Sequence, residues 1–404
     1  MIDLRSTRIL TFFVCIINCA HIQNAQADDD SAIQVKLLNT DEEWDNVSGG
    51  TKRATTNIDL QDVNIALDAE KKWGWTGATF MLDGLYINGR QTTPTLSGTT
   101  QTISPIEDKG TQMIRLYQAW YNQDLWNGKT SVLIGLYDLN TEFDSLNSAA
   151  LFFNSGYNWA SALDLSGIDS PSTYPDTAFG ARVHQWLDQK DGISVQFAAL
   201  DGVPDEPKHP WENTVQLNHS NGVLLVGEAD YYPNSDLKIL AGYWYYIAKF
   251  DEFKTDMNGD PLRSSDNQGA YAGIHKRLYS ISPKRGLDGF INAGITNGNI
   301  NQVDSSFATG LMFTGLLGTR PTDQIGFAWN LAHNSNPFKE SEEAAGTPVL
   351  DNEMNYELTY RAKINDWITI QPDAQYTVNP GTNPTLKNDF IVGMRVEIGY
   401  GFGL

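Results

Sequence analysis

Apolar and polar residues alternate along much of this chain with a period of two, the spacing of a β-strand. The final segment shows it most clearly. Phe390, Val392, Met394, Val396, Ile398, Tyr400, Phe402 and Leu404 are apolar, and Ile391, Gly393, Arg395, Glu397, Gly399, Gly401 and Gly403 lie between them. A strand in a soluble protein typically runs about 5–6 residues. A stripe of about fifteen suits a tilted strand that crosses a bilayer and protrudes from it. Similar alternation recurs at Met354–Ile364, Ile368–Val378, Gln324–Leu331 and Ile193–Ala199. In each, the apolar face is expected to meet lipid and the polar face a wet lumen.

The pattern predicts strands over 33–45, 57–69, 77–88, 111–122, 130–139, 176–187, 191–201, 222–233, 235–249, 268–278, 287–297, 305–317, 323–333, 352–363, 366–377 and 388–402. The fold class is therefore all-β: a transmembrane antiparallel β-barrel of about 16 strands. Closure is required because an open edge in lipid would leave backbone N–H and C=O groups unpaired. Short connections (188–191, 232–235, 318–322, 365–366) alternate with long ones (89–110, 140–175, 202–221, 250–267, 334–351). Short periplasmic turns and long extracellular loops are the outer-membrane plan, and an even strand number puts both termini in the periplasm. Trp73, Trp75, Trp126, Trp186 and Trp367 sit beside proposed short turns, where an interfacial girdle places them.

The N-terminus reads as a signal peptide over residues 1–27. Arg5 and Arg8 precede the apolar run Ile9–Ile17, and Ala25-Gln26-Ala27 supplies a small-x-small cleavage site. Residues 28–404 form the barrel domain. Both cysteines, Cys15 and Cys19, fall in the leader, so no disulfide framework is expected in the mature chain. The net charge is −21; removing Asp3, Arg5 and Arg8 takes away one acid and two bases and leaves −22. Such a chain lacks the concentrated basic surface that nucleic acid needs. The mean hydropathy of −0.36 fits a barrel, in which alternation hides the apolar face.

Several stretches, in order, resemble the carbohydrate-selective outer-membrane porins, the OprB-like family. They are Asn46-Val47-Ser48-Gly49-Gly50, Trp73-Gly74-Trp75-Thr76-Gly77-Ala78-Thr79-Phe80, Gly135 to Phe143, Leu151-Phe152-Phe153-Asn154-Ser155, Pro171 to Pro175 followed by Thr177 to Arg182, Gln371-Pro372-Asp373, and Asn379 to Pro384. The resemblance implies a sixteen-stranded pore passing glucose and other small sugars, with a narrow point lined by arginine, acidic and aromatic side chains. One departure is that the last aromatic, Phe402, stands two places before the final residue on the same face.

The loop 140–175 is the functional candidate. It carries Leu151, Phe152, Phe153, Tyr157, Trp159 and Tyr174, too much apolar surface for a solvated connection, so it is expected to pack against the inner wall and narrow the pore. Alternation puts Arg115, Arg182, Arg361 and Arg395 in the lumen, and Trp244 and Tyr246 on the face of Lys238. Arg90 and Arg115, flanking the first long loop, look like the family's eyelet arginines. Glu142 and Trp159 are the acidic and aromatic candidates, completed by Arg182, Trp244 and Arg361 as pore lining. Arginine offers several fixed donors to sugar hydroxyls, and an aromatic face can stack on a pyranose.

Enzyme motifs are missing: there is no Gly-x-Ser-x-Gly, His-Glu-x-x-His or Gly-x-x-x-x-Gly-Lys. His184, His209, His219, His275 and His333 lack metal-ligand spacing, so no cofactor and no metal are expected. Expected partners are outer-membrane lipid and small sugars, with monomer and homo-oligomer both open. The leading reading is passive, selective sugar diffusion. A general or cation-favouring porin competes on the strength of the charge. An outer-membrane barrel enzyme and a soluble exported binding protein stand behind it.

Overall fold

The computed structural model describes residues 31–107, 112–204 and 222–404. The proposed leader and its two cysteines lie outside them, as does most of the loop 202–221.

Sixteen strands close into one antiparallel barrel. In chain order they are β1 (Ile33–Ser48), β2 (Thr55–Asp68), β3 (Ala78–Gly89), β4 (Gln112–Leu125), β5 (Thr130–Tyr137), β6 (Ala178–Asp188), β7 (Ile193–Asp201), β8 (Val223–Asn234), β9 (Leu237–Ile247), β12 (Gln268–Ser282), β13 (Arg285–Thr296), β14 (Val303–Thr314), β15 (Gln324–Asn334), β16 (Asn352–Lys363), β17 (Ile368–Val378) and β18 (Asp389–Gly403). Each pairs with its neighbour, and β1 pairs with β18 to close the ring, with Gln34 opposite Gly403. Every expected strand is present, with shifted ends. The long connection 250–267 is not irregular, however. It forms a separate hairpin of β10 (Phe250–Thr255) and β11 (Pro261–Ser264), whose Phe253 packs edge-on against Phe338 of the helix Asn336–Ala345.

Burial is the reverse of a soluble protein's. Outward residues are apolar and open: Ile114 is 71% exposed, Phe327 53%, Leu358 51% and Met394 49%. Inward residues on the same strands are polar and covered: Glu357, Asn355, Asn330 and Arg395 are all 3% exposed or less. An exposed apolar belt around a polar interior is stable in lipid and not in water. Trp73, Trp75, Trp126 and Trp367 are exposed at the short-turn rim, as a girdle requires. Trp186 departs from that expectation. It pairs with Ser194, which is buried on the inner face, so its ring points into the barrel.

Two further departures matter. A bulge between β3 and β4 at Asp83/Gly84 shifts the alternation, so the neighbours Tyr117 and Gln118 are both buried. In the extracellular half of β1 and β2 the polarity runs the other way. Asp41, Glu43 and Asp45 are exposed on the outside, while Ile58 and Leu60 pack inward with Leu85, Ile87, Ile106 and Tyr117. On β2 and β3 the inner face is apolar there because it meets Ile106 of the loop 89–110 and not water; on β1 it carries Glu42 and Asn46, bonded to Arg395 and to Leu96 C=O.

Candidate functional site

The connection from β5 to β6, residues 138–177, folds into the barrel. It contains two short helices, Ser155–Asn158 and Ser161–Asp164. Leu139, Phe143, Leu146, Leu151, Phe152, Tyr157, Trp159 and Leu163 join wall residues such as Leu240, Trp244, Tyr271 and Phe290 in one buried cluster. The sequence expected this loop to meet the inner wall, and it does.

Wall carboxylates seat it through its backbone. Glu357 on β16 accepts from the N–H groups of Phe153 (2.7 Å) and Asn154 (3.0 Å). Glu228 on β8 accepts from Asp144 N–H at 2.7 Å and from the Tyr271 hydroxyl at 2.8 Å. Asp144 in turn accepts from Ala160 N–H (2.7 Å) and the Asn292 amide (2.8 Å). A carboxylate that takes two backbone donors fixes a loop firmly, because each charged bond is stronger than a neutral one. Space is tight: a Cβ on Gly156 would come within 2.2 Å of Gln101 Nε2.

By length and position the sequence makes the loop 89–110 an extracellular connection. Its described part, up to residue 107, instead packs inward too, with Leu96 and Ile103 fully buried. Glu353 on β16 accepts from the N–H groups of Thr100 (2.8 Å) and Gln101 (2.9 Å). Gln375 donates to Ile103 C=O, and Thr102 C=O accepts from Ser155 N–H of the second loop. The two loops therefore form one plug. Burial pushes its acids up: Glu107 to about 7, offset by bonds from Thr93 and Thr92; Asp144 to about 7, offset by Ala160 and Asn292; Asp138 to about 6, offset by the Tyr117 hydroxyl; Asp164 to about 6.

The seven candidate residues do not gather at one point. Arg182 and Glu142 meet in a bidentate pair, Nε at 2.7 Å and Nη2 at 2.6 Å, and Tyr137 donates to the same carboxylate. Arg115 is 6% exposed and pairs with Asp176 at 2.7 Å, beside the edge-on rings of Tyr117 and Tyr174. Arg90 is exposed just beyond β3, its N–H bonded to Asn57 C=O. Arg361 bonds Glu397 at 3.1 Å near the short-turn end of β16. Trp159 and Trp244 are 4% and 0% exposed. Both are plug-to-wall packing, Trp244 stacked with Tyr271 at 6.2 Å.

Arg395 also proves central to the plug. It pairs with Glu42 and lies 4.2 Å over the Phe153 ring, which meets Trp44 edge-on at 5.6 Å. The seating acids Glu353, Glu357 and Glu228 were visible only as polar inward positions. Their bonds join segments about 80 to 250 residues apart, and alternation gives a face but no partner. Among the described residues, no group of histidine, cysteine or acids is arranged to hold a metal.

Comparison with known proteins places this geometry. A family model described as carbohydrate-selective porin, OprB family, matches residues 52–400. Porin B of Pseudomonas aeruginosa is 23% identical over 396 residues, covering 87% of this chain and 84% of that protein. The high-pH structure of Pseudomonas putida OprB has a TM-score of 0.80 at 22% identity, covering 92% of this chain and 94% of the other. A mutant of Rh. blastica porin gives 0.52 at 11% identity, covering 91% and 99%. These two likenesses bear on the fold.

Proposed function

The chain belongs to the OprB family of carbohydrate-selective porins, and from that membership we propose that it passes glucose-like monosaccharides by passive, selective diffusion. It is a sugar-selective, multi-pass protein of the bacterial outer membrane. The observation that carries the finer reading is the double plug. Two inward-folded loops, seated on strands as far apart as β8 and β16, narrow the lumen that a solute must cross.

Charged groups beside that passage replace the lost water bonds. Arg115 with Asp176, and Arg182 with Glu142, offer paired donors and acceptors of fixed geometry. A pyranose hydroxyl is both donor and acceptor, so it can bridge such a pair. Glu142 is the more open carboxylate, 19% exposed. Trp159 and Trp244 act in this reading as supports of the plug. Arg90 is an outer collecting charge, and Arg361 a wall charge below. Removal of residues 1–27 as a leader, acyl chains around the apolar belt, and any assembly into oligomers complete the proposal.

In single-channel recordings the wild type is expected to show a small conductance that glucose blocks saturably. Arg115→Ala is expected to weaken that block about tenfold, the worth of a charged hydrogen bond of about 1.5 kcal/mol. Its cation preference should rise as one positive charge leaves an acidic pore. A large conductance that ignores glucose would instead favour the general, cation-favouring porin.

A further inference from the structure

Below the Arg182–Glu142 pair the inner face of β6 continues with His184 and Trp186. Steps of two residues place them about 7 Å apart along the wall, toward the short-turn rim. Across from them β8 turns Tyr232 inward. The Trp186 and Tyr232 ring centroids are 6.0 Å apart at 49°, and the His184 ring meets Trp186 edge-on at 5.4 Å. From β9, Lys238 Nζ lies 5.6 Å from the Tyr232 centroid and 3.3 Å from Asp230. His184, Trp186 and Tyr232 are only half-buried, and none belongs to the buried clusters that pack the plug.

Placement argues that these rings are not ordinary wall. The other tryptophans beside short turns, Trp73, Trp75, Trp126 and Trp367, point outward and are 49% to 73% exposed. There an indole gains from the headgroup boundary. A tryptophan turned into a wet lumen gains nothing of the kind, and it leaves apolar ring surface against water. What such a surface suits is a solute with an apolar face and a polar rim. A pyranose is one. Its C–H face can lie on the Trp186 and Tyr232 rings, beside the edge of His184, while its hydroxyls stay toward the water of the lumen.

We infer that Trp186 and Tyr232 form a second contact site for neutral pyranose sugars, between the constriction and the periplasmic mouth. This rests on the sugar-passing function proposed above. Its role is to hold a sugar weakly as it leaves the plug, so that one tight site is replaced by two loose ones in series. Conduction requires such multi-site, low-affinity binding.

The test is glucose-induced current noise in oriented single channels, with glucose added to one side at a time. Trp186→Ala is expected to slow entry of periplasmically added glucose about threefold to tenfold, the range of one aromatic contact. Entry from the extracellular side should change less than about twofold. Trp186→Phe, which keeps a ring, should retain most of the wild-type rate. Tyr232→Leu should act in the same direction as Trp186→Ala and decides the matter if that variant fails to assemble. Wild-type entry rates from the periplasmic side in the variants that assemble, with glucose block intact in the wild type, would overturn this site alone. A wild type that glucose does not block would overturn the sugar-passing function and this site with it.

Discussion

Glu357→Ala is expected to raise ion conductance severalfold by loosening the plug. Glu357 is fully buried and accepts the backbone N–H groups of Phe153 and Asn154. Each charged bond is worth about 1.5–3 kcal/mol in a dry site, and a wet lumen reduces that. A loss of about 3 kcal/mol in loop seating is a reasonable figure. The loop would not leave the barrel, because Glu228 still holds Asp144 and the Gln371 amide still donates to Leu151 C=O. Glu357→Gln keeps one acceptor oxygen for a loop N–H and should fall between wild type and alanine. Single-channel conductance reads the effect directly. An unchanged value in Glu357→Ala would mean that the loop is seated by its apolar contacts alone.

Met394→Arg is expected to impair barrel assembly. The side chain is 49% exposed on the outer face, and arginine facing lipid near mid-bilayer costs about 2–4 kcal/mol. The folded fraction, read as heat-modifiable migration on a gel, should fall strongly. The control must come from the lumen face of the same strand. Gly393 is unsuitable, since a Cβ there would come within 2.3 Å of the Trp44 indole. Its missing side chain is what lets that ring lie flat on β18. At Gly399 the nearest atom to a Cβ is 3.5 Å away, so Gly399→Ala should assemble normally. Equal losses in the two variants would refute the assigned faces.

The wall was legible in the sequence because a barrel strand has only two faces and both are long. Arg395 and Met394 are neighbours with opposite fates, and period-two alternation separates them without any other information. Where the strand is irregular the rule fails, as at Tyr117 and Gln118, which the β3–β4 bulge turns to the same side. Trp186 shows a second limit. A tryptophan beside a short turn suggests a girdle by composition, yet the strand's parity decides which way the ring points. The plug was half legible. The aromatic content of 140–175 announced that the loop packs inward, but the polar loop 89–110 gave no such sign, because Glu353 holds it by backbone N–H groups that any sequence possesses. Arg395 was legible only as a lumen-facing charge. Its stacking on Phe153 joins residues far apart in the chain, and no local pattern encodes that.

Liposome swelling tests the central claim most directly, that the inward-folded loops make a passage selective for small sugars. Proteoliposomes should swell faster in glucose than in an amino acid of similar or smaller size, and much more slowly in a disaccharide. Swelling rates that follow solute size alone, with amino acids outrunning glucose, would contradict it.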